Sequence, residues 1–284
     1  MGAAVLAAAL LPGRVSGPAE AYALPITPAA DQGDTGLCWV FATLSMLETN
    51  YMQKHPGERI ELSRAALQRD AIADRFRRFL RGEPKRLRDG GLAVEALALI
   101  QENGLVVRDD FHDIVPSEPV LEKIDETLGE SADEPRALDA ALTATLGDKP
   151  ARTHLGGAVV DPRALAREMV GGRQWVEFDR SPDGAESWGP SHDPDARPDT
   201  RVRYVPPERL IDLIHRSLKR GEAVVSGTVD HAMLIYGAEY DADGKPIAYL
   251  IKDSLPPYTY RMKAEELNAD LTDVTVSVGD RDPA

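Results

Sequence analysis

The sequence predicts an α+β fold in which helices come first and strands follow. Apolar residues recur at spacings of three and four in the first half of the chain, whereas the final third alternates with a period of two. The 284 residues are 43% hydrophobic and 28% charged, which is typical of a globular domain. We therefore expect two lobes, a helical one at about residues 36–170 and a sheet lobe at about 200–280, with a cleft between them.

Helices are predicted where apolar spacing coincides with start or stop residues. The first helix follows Thr35 and Gly36, and Asn103-Gly104 is typical of a helix end. The region Pro116–Pro206 is less regular and is expected to contain few elements. The predicted helices are Cys38 to about His55, a second from Leu62-Ser63, Leu92–Asn103, Ala137–Leu146, Pro162–Val170 and Pro207–Lys219.

Strands are predicted where the period changes to two. Asp243-Gly244 is a hairpin signal between two of them. Ser181–Thr200 is rich in Pro, Asp and Gly and is expected to form a loop, with His192 exposed rather than bound to a metal. The predicted strands are Ala223–Gly227, Ala232–Ala238, Ile247–Lys252 and Val274–Val278.

Charge and hydropathy exclude two classes of function. The formal net charge of -14 repels phosphate backbones, so nucleic acid is not an expected partner. After the N-terminal region no apolar stretch reaches the roughly 20 residues that a membrane-spanning helix needs, so no integral membrane segment is expected.

The N-terminal residues resemble an export signal. An apolar run precedes Pro12, and the triplet Ala21-Tyr22-Ala23 is typical of a cleavage site. No Lys or Arg precedes the apolar run, so a disordered Ala-rich extension is the other interpretation. We expect residues 1–23 to lie outside the main domain, which would span 24–284. The expected location is secreted or periplasmic, with the cytoplasm as the alternative.

Cys38, the single cysteine, has the surroundings of a nucleophile. It opens a predicted helix, and the positive end of the helix dipole favours a thiolate. Gly36 lets a substrate approach the backbone closely. The amide of Gln32, across a glycine-containing turn, can donate to an oxyanion beside the Cys38 backbone N–H.

This segment resembles the active-site helix of papain-family cysteine peptidases, whose pattern is Gln, a short Gly-rich turn and Gly-x-Cys-Trp-x-Phe. Thr35 is similar to the residue that the bleomycin hydrolase, or aminopeptidase C-like, branch carries at that position. The resemblance implies a two-lobed papain-like fold with a helical N-terminal lobe and an antiparallel sheet or barrel in the C-terminal lobe. It implies Cys38 as nucleophile and Gln32 as oxyanion donor.

Two downstream segments extend the resemblance. His231-Ala232, followed by Gly237, is similar to the strand that carries the family's general base. Lys252-Asp253-Ser254 is similar to the strand end that carries Asn in papain relatives. Asp253 can accept the same imidazole N–H bond, whereas Leu255 replaces the family's shielding Trp.

The resemblance implies hydrolysis of peptide bonds through a Cys-His-Asp triad and a thioester acyl-enzyme. Peptides or proteins would be the substrates, no cofactor or metal is required, and the oligomeric state is left open. Two alternatives stay open: an amidase or transpeptidase of the same superfamily, and a catalytically weak papain-like binding protein. The implied substrate contacts are Gly36, Trp39, Gly90, Gly91 and Asp230.

Overall fold

The computed structural model describes residues 20–83, 89–111, 114, 117–129, 134–192 and 196–278. Residues 1–19 of the N-terminal segment predicted at 1–23 lie outside this range. None of the helices within it combines the length and apolarity needed to cross a membrane.

The helical lobe is built from the first part of the chain. Ser63 caps the second helix by accepting a hydrogen bond from Ala66 N–H, as helix-start chemistry requires. Gly104 ends the third with a φ of 84°, a conformation that favours glycine. The helices are α1 (Cys38–Lys54), α2 (Arg64–Leu80), α3 (Ala93–Asn103), α4 (Ser117–Gly129), α5 (Glu134–Leu146), α6 (Pro162–Val170), α7 (Pro207–Lys219) and α8 (Ala264–Asp270).

The strands form a large, mainly antiparallel sheet and a small separate hairpin. The main sheet runs β10-β9-β8-β7-β11-β4-β6-β5, with β1 paired to β8 and only the β4–β6 pair parallel among the described strands. The strands are β1 (Glu20–Ala23), β2 (Thr153–Leu155), β3 (Ala158–Val160), β4 (Gln174–Arg180), β5 (Ser187–Pro190), β6 (Arg201–Val205), β7 (Val224–Thr228), β8 (His231–Tyr240), β9 (Pro246–Lys252), β10 (Thr259–Lys263) and β11 (Asp273–Val278).

The structure differs from the sequence prediction in the irregular region and at the N-terminus. Gln174–Arg180 and Ser187–Pro190 are strands of the main sheet, so the sheet lobe draws on residues well before 200, and the expected loop at 181–200 contains β5. Residues 20–23, which were assigned to the N-terminal extension, pair with Gly237–Tyr240 of β8. These residues pair with β8 because its backbone N–H and C=O groups need hydrogen-bond partners, and this neighbouring segment of the same chain supplies them.

The two lobes meet where α1 packs against β8. The main apolar core is continuous across this junction and includes Leu44 and Leu47 of α1 with Leu234 and Ile235 of β8. A smaller core joins α2, α4 and α5 around Phe76. The N-terminus of α1 is therefore held beside the start of β8.

A buried ionic network ties α1 to both α2 and β9. The Glu48 carboxylate is fully buried and accepts from Leu62 N–H at 2.7 Å and from the Arg64 guanidinium. Lys252 Nζ lies 3.8 Å from the same carboxylate and donates to Thr27 Oγ1 at 2.7 Å. Burial lowers the pKa of Lys252 to about 8 against the attraction of Glu48. The network fixes the end of β9, one residue before Asp253.

Replacing Glu48 with Gln is expected to lower the free energy of unfolding by about 3–5 kcal/mol, because two cations stay buried without their counter-charge. Urea denaturation measures the loss. Glu61→Gln is the matched control, since the Glu61 carboxylate pairs with the half-exposed Arg108 and its loss should cost less than about 1 kcal/mol. Equal losses in the two variants would contradict this account of the network.

Candidate active site

Cys38 is the first residue of α1 and lies at the cleft between the lobes. The first backbone N–H groups of a helix have no carbonyl one turn earlier, so the Cys38 N–H can donate to a group in the cleft. The residue before it, Leu37, is buried and anchors the helix start. Cys38 itself is partly exposed, so a substrate can reach its sulfur. This placement matches the sequence prediction.

His231 lies between Cys38 and Asp253. It opens β8, and its Nε2 is 2.7 Å from Asp253 Oδ1. The imidazole also interacts with the Cys38 side chain, which lines the same cleft. Leu234 pairs with Lys252, so the sheet register brings Asp253, the residue just after β9, beside the start of β8. The structure therefore brings together three residues that are far apart in the sequence.

The electrostatics of this group favour an imidazolium. The hydrogen bond to Asp253, and after it the interaction with Cys38, raises the pKa of His231 to about 10, although burial opposes the shift. Burial alone would raise the pKa of Asp253, but hydrogen bonds from His231, Leu255 N–H and Tyr260 hold it below its ordinary value. A charged His231 between a carboxylate and a thiol is the arrangement that stabilises a thiolate.

Gln32 is buried beside Cys38, and both ends of its amide are held. Its Oε1 accepts from Ser254 Oγ at 2.6 Å, and its Nε2 donates to the Thr35 carbonyl. Its backbone N–H donates to the Ser254 carbonyl at 3.0 Å. An amide nitrogen carries two hydrogens, so a second one is available to a ligand in the cleft.

The glycines predicted to contact substrate form one wall of the cleft. Gly36 N–H donates to Asp89 Oδ2 at 2.6 Å, and a Cβ at Gly36 would lie 2.3 Å from the other carboxylate oxygen. Trp39 Nε1 donates to the Asp89 carbonyl at 2.9 Å. A Cβ at Gly91 would approach the Trp39 ring to 2.9 Å, and the Gly90 carbonyl accepts from Arg75. These contacts with Gly36 and Trp39 pack the Asp89–Gly91 segment against the start of α1.

The opposite wall is formed by the short turn between β7 and β8. Val229 is 82% exposed there, and Asp230 beside it is also exposed. Leu255, which stands where the resemblance places a shielding Trp, is 37% exposed and also lines the cleft. The cavity has a volume of about 1530 Å³, enough for several residues of an extended peptide.

Carboxyl groups from two strands, β4 and β11, lie at one end of the cleft. Glu177 is fully buried and accepts from Thr275 Oγ1 at 2.9 Å and from Val94 N–H at 3.2 Å. Burial, and then the neighbouring charges of Asp273 and Asp179, raise the pKa of Glu177 well above its ordinary value. The sequence analysis missed this group, because β4 was not predicted and the residues of β4 and β11 meet only in the sheet.

The histidines outside the site are mostly placed as expected, with one correction. His192 is exposed at the rim of the cleft, whereas His112 lies outside the described residues. The helix context of His215 in the sequence predicts exposure, but the residue is partly buried between α7 and the sheet, with Nε2 2.9 Å from Tyr249 Oη. The amphipathic α7 turns this position toward the strands, and burial lowers the pKa of His215.

Comparisons with known proteins found one matching family model and several similar solved structures. The sequence model of the family described as papain family cysteine protease matches residues 18–113. The structure of PepW from Lactobacillus rhamnosis is similar with a TM-score of 0.75 and 16% identity, over 90% of this chain and 81% of that one. Digestive procathepsin L 3 from Tenebrio molitor larval midgut aligns with a TM-score of 0.46 and 12% identity, over 94% of this chain and 72% of that one. No curated protein matches the sequence.

The architecture is that of the two-lobed α+β papain-like proteases, with the cleft between a helical and a sheet lobe. The family model therefore matches the segment that contains Cys38, and the fold of the chain is similar to that of PepW. The bleomycin hydrolase or aminopeptidase C-like branch inferred from the sequence is consistent with these findings.

Proposed function

We propose that this chain cleaves peptide bonds through a covalent thioester formed on Cys38, with His231 as general acid and base and Asp253 as its partner. The observation that carries the proposal is His231, which hydrogen-bonds Asp253 Oδ1 at 2.7 Å and also interacts with the Cys38 side chain. The test is incubation with a defined peptide mixture and identification of the products by mass spectrometry. New amino and carboxyl termini support hydrolysis, ligated products indicate transpeptidation, and unchanged peptides would indicate a binding protein.

The first half of the reaction forms the thioester. The Cys38 thiolate attacks the scissile carbonyl carbon and forms a C–S bond, and the carbonyl oxygen becomes an oxyanion. The Cys38 N–H and the Gln32 amide donate to that oxyanion. His231 then gives its proton to the leaving amine, and the C–N bond breaks.

The second half releases the acid. Neutral His231 takes a proton from a water molecule, which attacks the thioester carbonyl. The C–S bond breaks, the carboxylic acid leaves, and the protonated imidazole and the thiolate are restored. Asp253 keeps the ring oriented in both halves, as the carboxylate does in serine triads.

Removing the oxyanion donor is expected to lower kcat by about 10²- to 10³-fold with little change in KM. Gln32→Glu keeps an oxygen for Ser254 and removes the N–H donors, and it also adds a carboxyl group that opposes the oxyanion charge. Gln32→Ala is its companion, and initial rates on a fluorogenic peptide amide measure both. If both variants stay within about twofold of the parent enzyme, Gln32 has no part in oxyanion binding.

The charge of the cleft predicts a preference for cationic peptides. The electrostatic field of an acidic cleft concentrates cationic substrates, and this field weakens as salt is added. A peptide with Lys beside the scissile bond should be cleaved about tenfold faster than its norleucine analogue at low ionic strength, with a ratio that falls in salt. A rate ratio near one, or a rate ratio that does not change with salt concentration, would contradict the predicted preference for cationic peptides. Among the described residues, the cleft is lined by seven with carboxyl groups, Asp34, Asp89, Glu122, Glu177, Asp179, Asp230 and Asp273, and by one arginine, Arg180.

A further inference from the structure

The Asp253 carboxylate receives more support than the His231 bond alone. Its Oδ1 accepts from His231 Nε2 at 2.7 Å and from Leu255 N–H at 3.1 Å. Its Oδ2 accepts from the phenol O–H of Tyr260 at 3.1 Å. Each carboxylate oxygen therefore has a side-chain partner: His231 bonds Oδ1, and the Tyr260 hydroxyl bonds Oδ2.

Tyr260 reaches Asp253 because of the sheet register. It pairs with Ile251 of β9, and Asp253 lies two residues further along the chain, just past the end of that strand. Diagonal neighbours of this kind are within reach of a long aromatic side chain. The Tyr260 hydroxyl also lies 3.8 Å from Met233 Sδ, but a thioether is a weak acceptor, so the proton is directed to the carboxylate.

The surroundings leave Tyr260 as the second side-chain donor to this carboxylate among the described residues, after His231. From α1, the apolar Phe41 and Ala42 face the adjoining gap, and Cys38 acts on Asp253 only through His231. Lys252 precedes Asp253 but directs its ammonium to Thr27 and Glu48. Burial and the charge of Asp253 raise the pKa of Tyr260, so its hydroxyl stays protonated and able to donate.

We propose that Tyr260 is a positioning residue for the catalytic base: its O–H fixes the Asp253 carboxylate so that Oδ1 points at His231 Nε2. This inference rests on the proposed function, in which Asp253 orients His231. Tyr260 touches neither substrate nor thiol, and it acts through Asp253. The role follows from the geometry of this chain, in which the exposed Leu255 provides only a backbone N–H to the carboxylate.

A double-mutant cycle tests the proposal without needing a known substrate. The variants are Tyr260→Phe, which keeps the ring and loses the hydroxyl, Asp253→Asn, and the two combined. The readout is the rate of iodoacetamide alkylation at mildly acidic pH, followed by intact mass, which reports Cys38 alone because the chain has one cysteine. Tyr249→Phe is the matched control, since it removes another hydroxyl from a buried tyrosine of the same sheet, one that bonds His215.

Tyr260→Phe is expected to slow alkylation about three- to tenfold in the parent chain and to have no further effect in the Asp253→Asn background. Tyr249→Phe should leave the rate unchanged. The acid limb of kcat/KM should also move to higher pH in Tyr260→Phe, because the carboxyl loses a donor that favours its ionised form. An equal slowing in both backgrounds, or no slowing in either, overturns the proposal. Since alkylation needs no peptide, a chain that fails to cleave peptides would still give this result.

Discussion

Replacing Cys38 with Ser is expected to lower kcat/KM for peptide hydrolysis by at least about 10³-fold. The hydroxyl is nearly isosteric with the thiol, but its pKa is far too high for His231 to ionise it in the ground state. The loss should fall on kcat, because the walls formed by Gly36, Gly91 and Val229 are unchanged. Initial rates on a fluorogenic peptide amide, with the protein concentration fixed by absorbance, give the ratio.

The single cysteine makes this experiment decisive. No other thiol in the chain can supply residual activity. The melting temperature of the variant should match that of the parent chain, since the Cys38 side chain is partly exposed and not part of the apolar core. Activity within about tenfold of the parent enzyme would show that hydrolysis does not pass through the Cys38 sulfur.

Replacing His231 with Ala is expected to lower kcat by about 10³-fold, because the leaving amine then departs without a proton donor and the thiolate loses its counter-ion. In the parent enzyme the pKa of His231 is raised to about 10. Activity should therefore persist below that pH and decline as pH rises through it, since the imidazolium loses the proton that the leaving group needs. The pH profile of kcat/KM gives the upper limb directly.

His192→Ala is the matched control for this prediction. It removes another imidazole that lines the same cleft, but one that is exposed and has Tyr204 as its ring neighbour. Its rates and pH profile should follow those of the parent enzyme. If His192→Ala and His231→Ala reduced kcat equally, the assignment of the base to His231 would be wrong.

The chemistry of the site could be predicted from the sequence because it depends on short segments. The residues from Gln32 to Cys38 lie within one turn and one helix start, so their types and spacing already determine what they can reach. His231 and Asp253 were each predicted from a short segment that resembles the papain family, and the register of β8 with β9 brings them together. The helix bounds followed from local capping residues such as Ser63.

The remaining features of the fold and the site depend on pairing between segments that are distant in the sequence. The spacing of residue types within one segment does not encode such pairing. Strand β4 alternates buried Val176 and Phe178 with charged residues, and it is a strand because β11 and β6 flank it. Tyr260 contacts Asp253 through a diagonal across two strands. The acidic end of the cleft likewise arises only once β4 and β11 are adjacent.

The most direct test of the Cys38–His231 pair is labelling by an epoxide inhibitor of papain-type enzymes, read by intact mass across pH. We expect one label per chain on Cys38, at a rate that persists well below the ordinary thiol pKa of about 8.5 and collapses in His231→Ala. A rate that simply follows the titration of an ordinary thiol, and is the same in His231→Ala, would contradict the thiolate–imidazolium pair and the mechanism built on it.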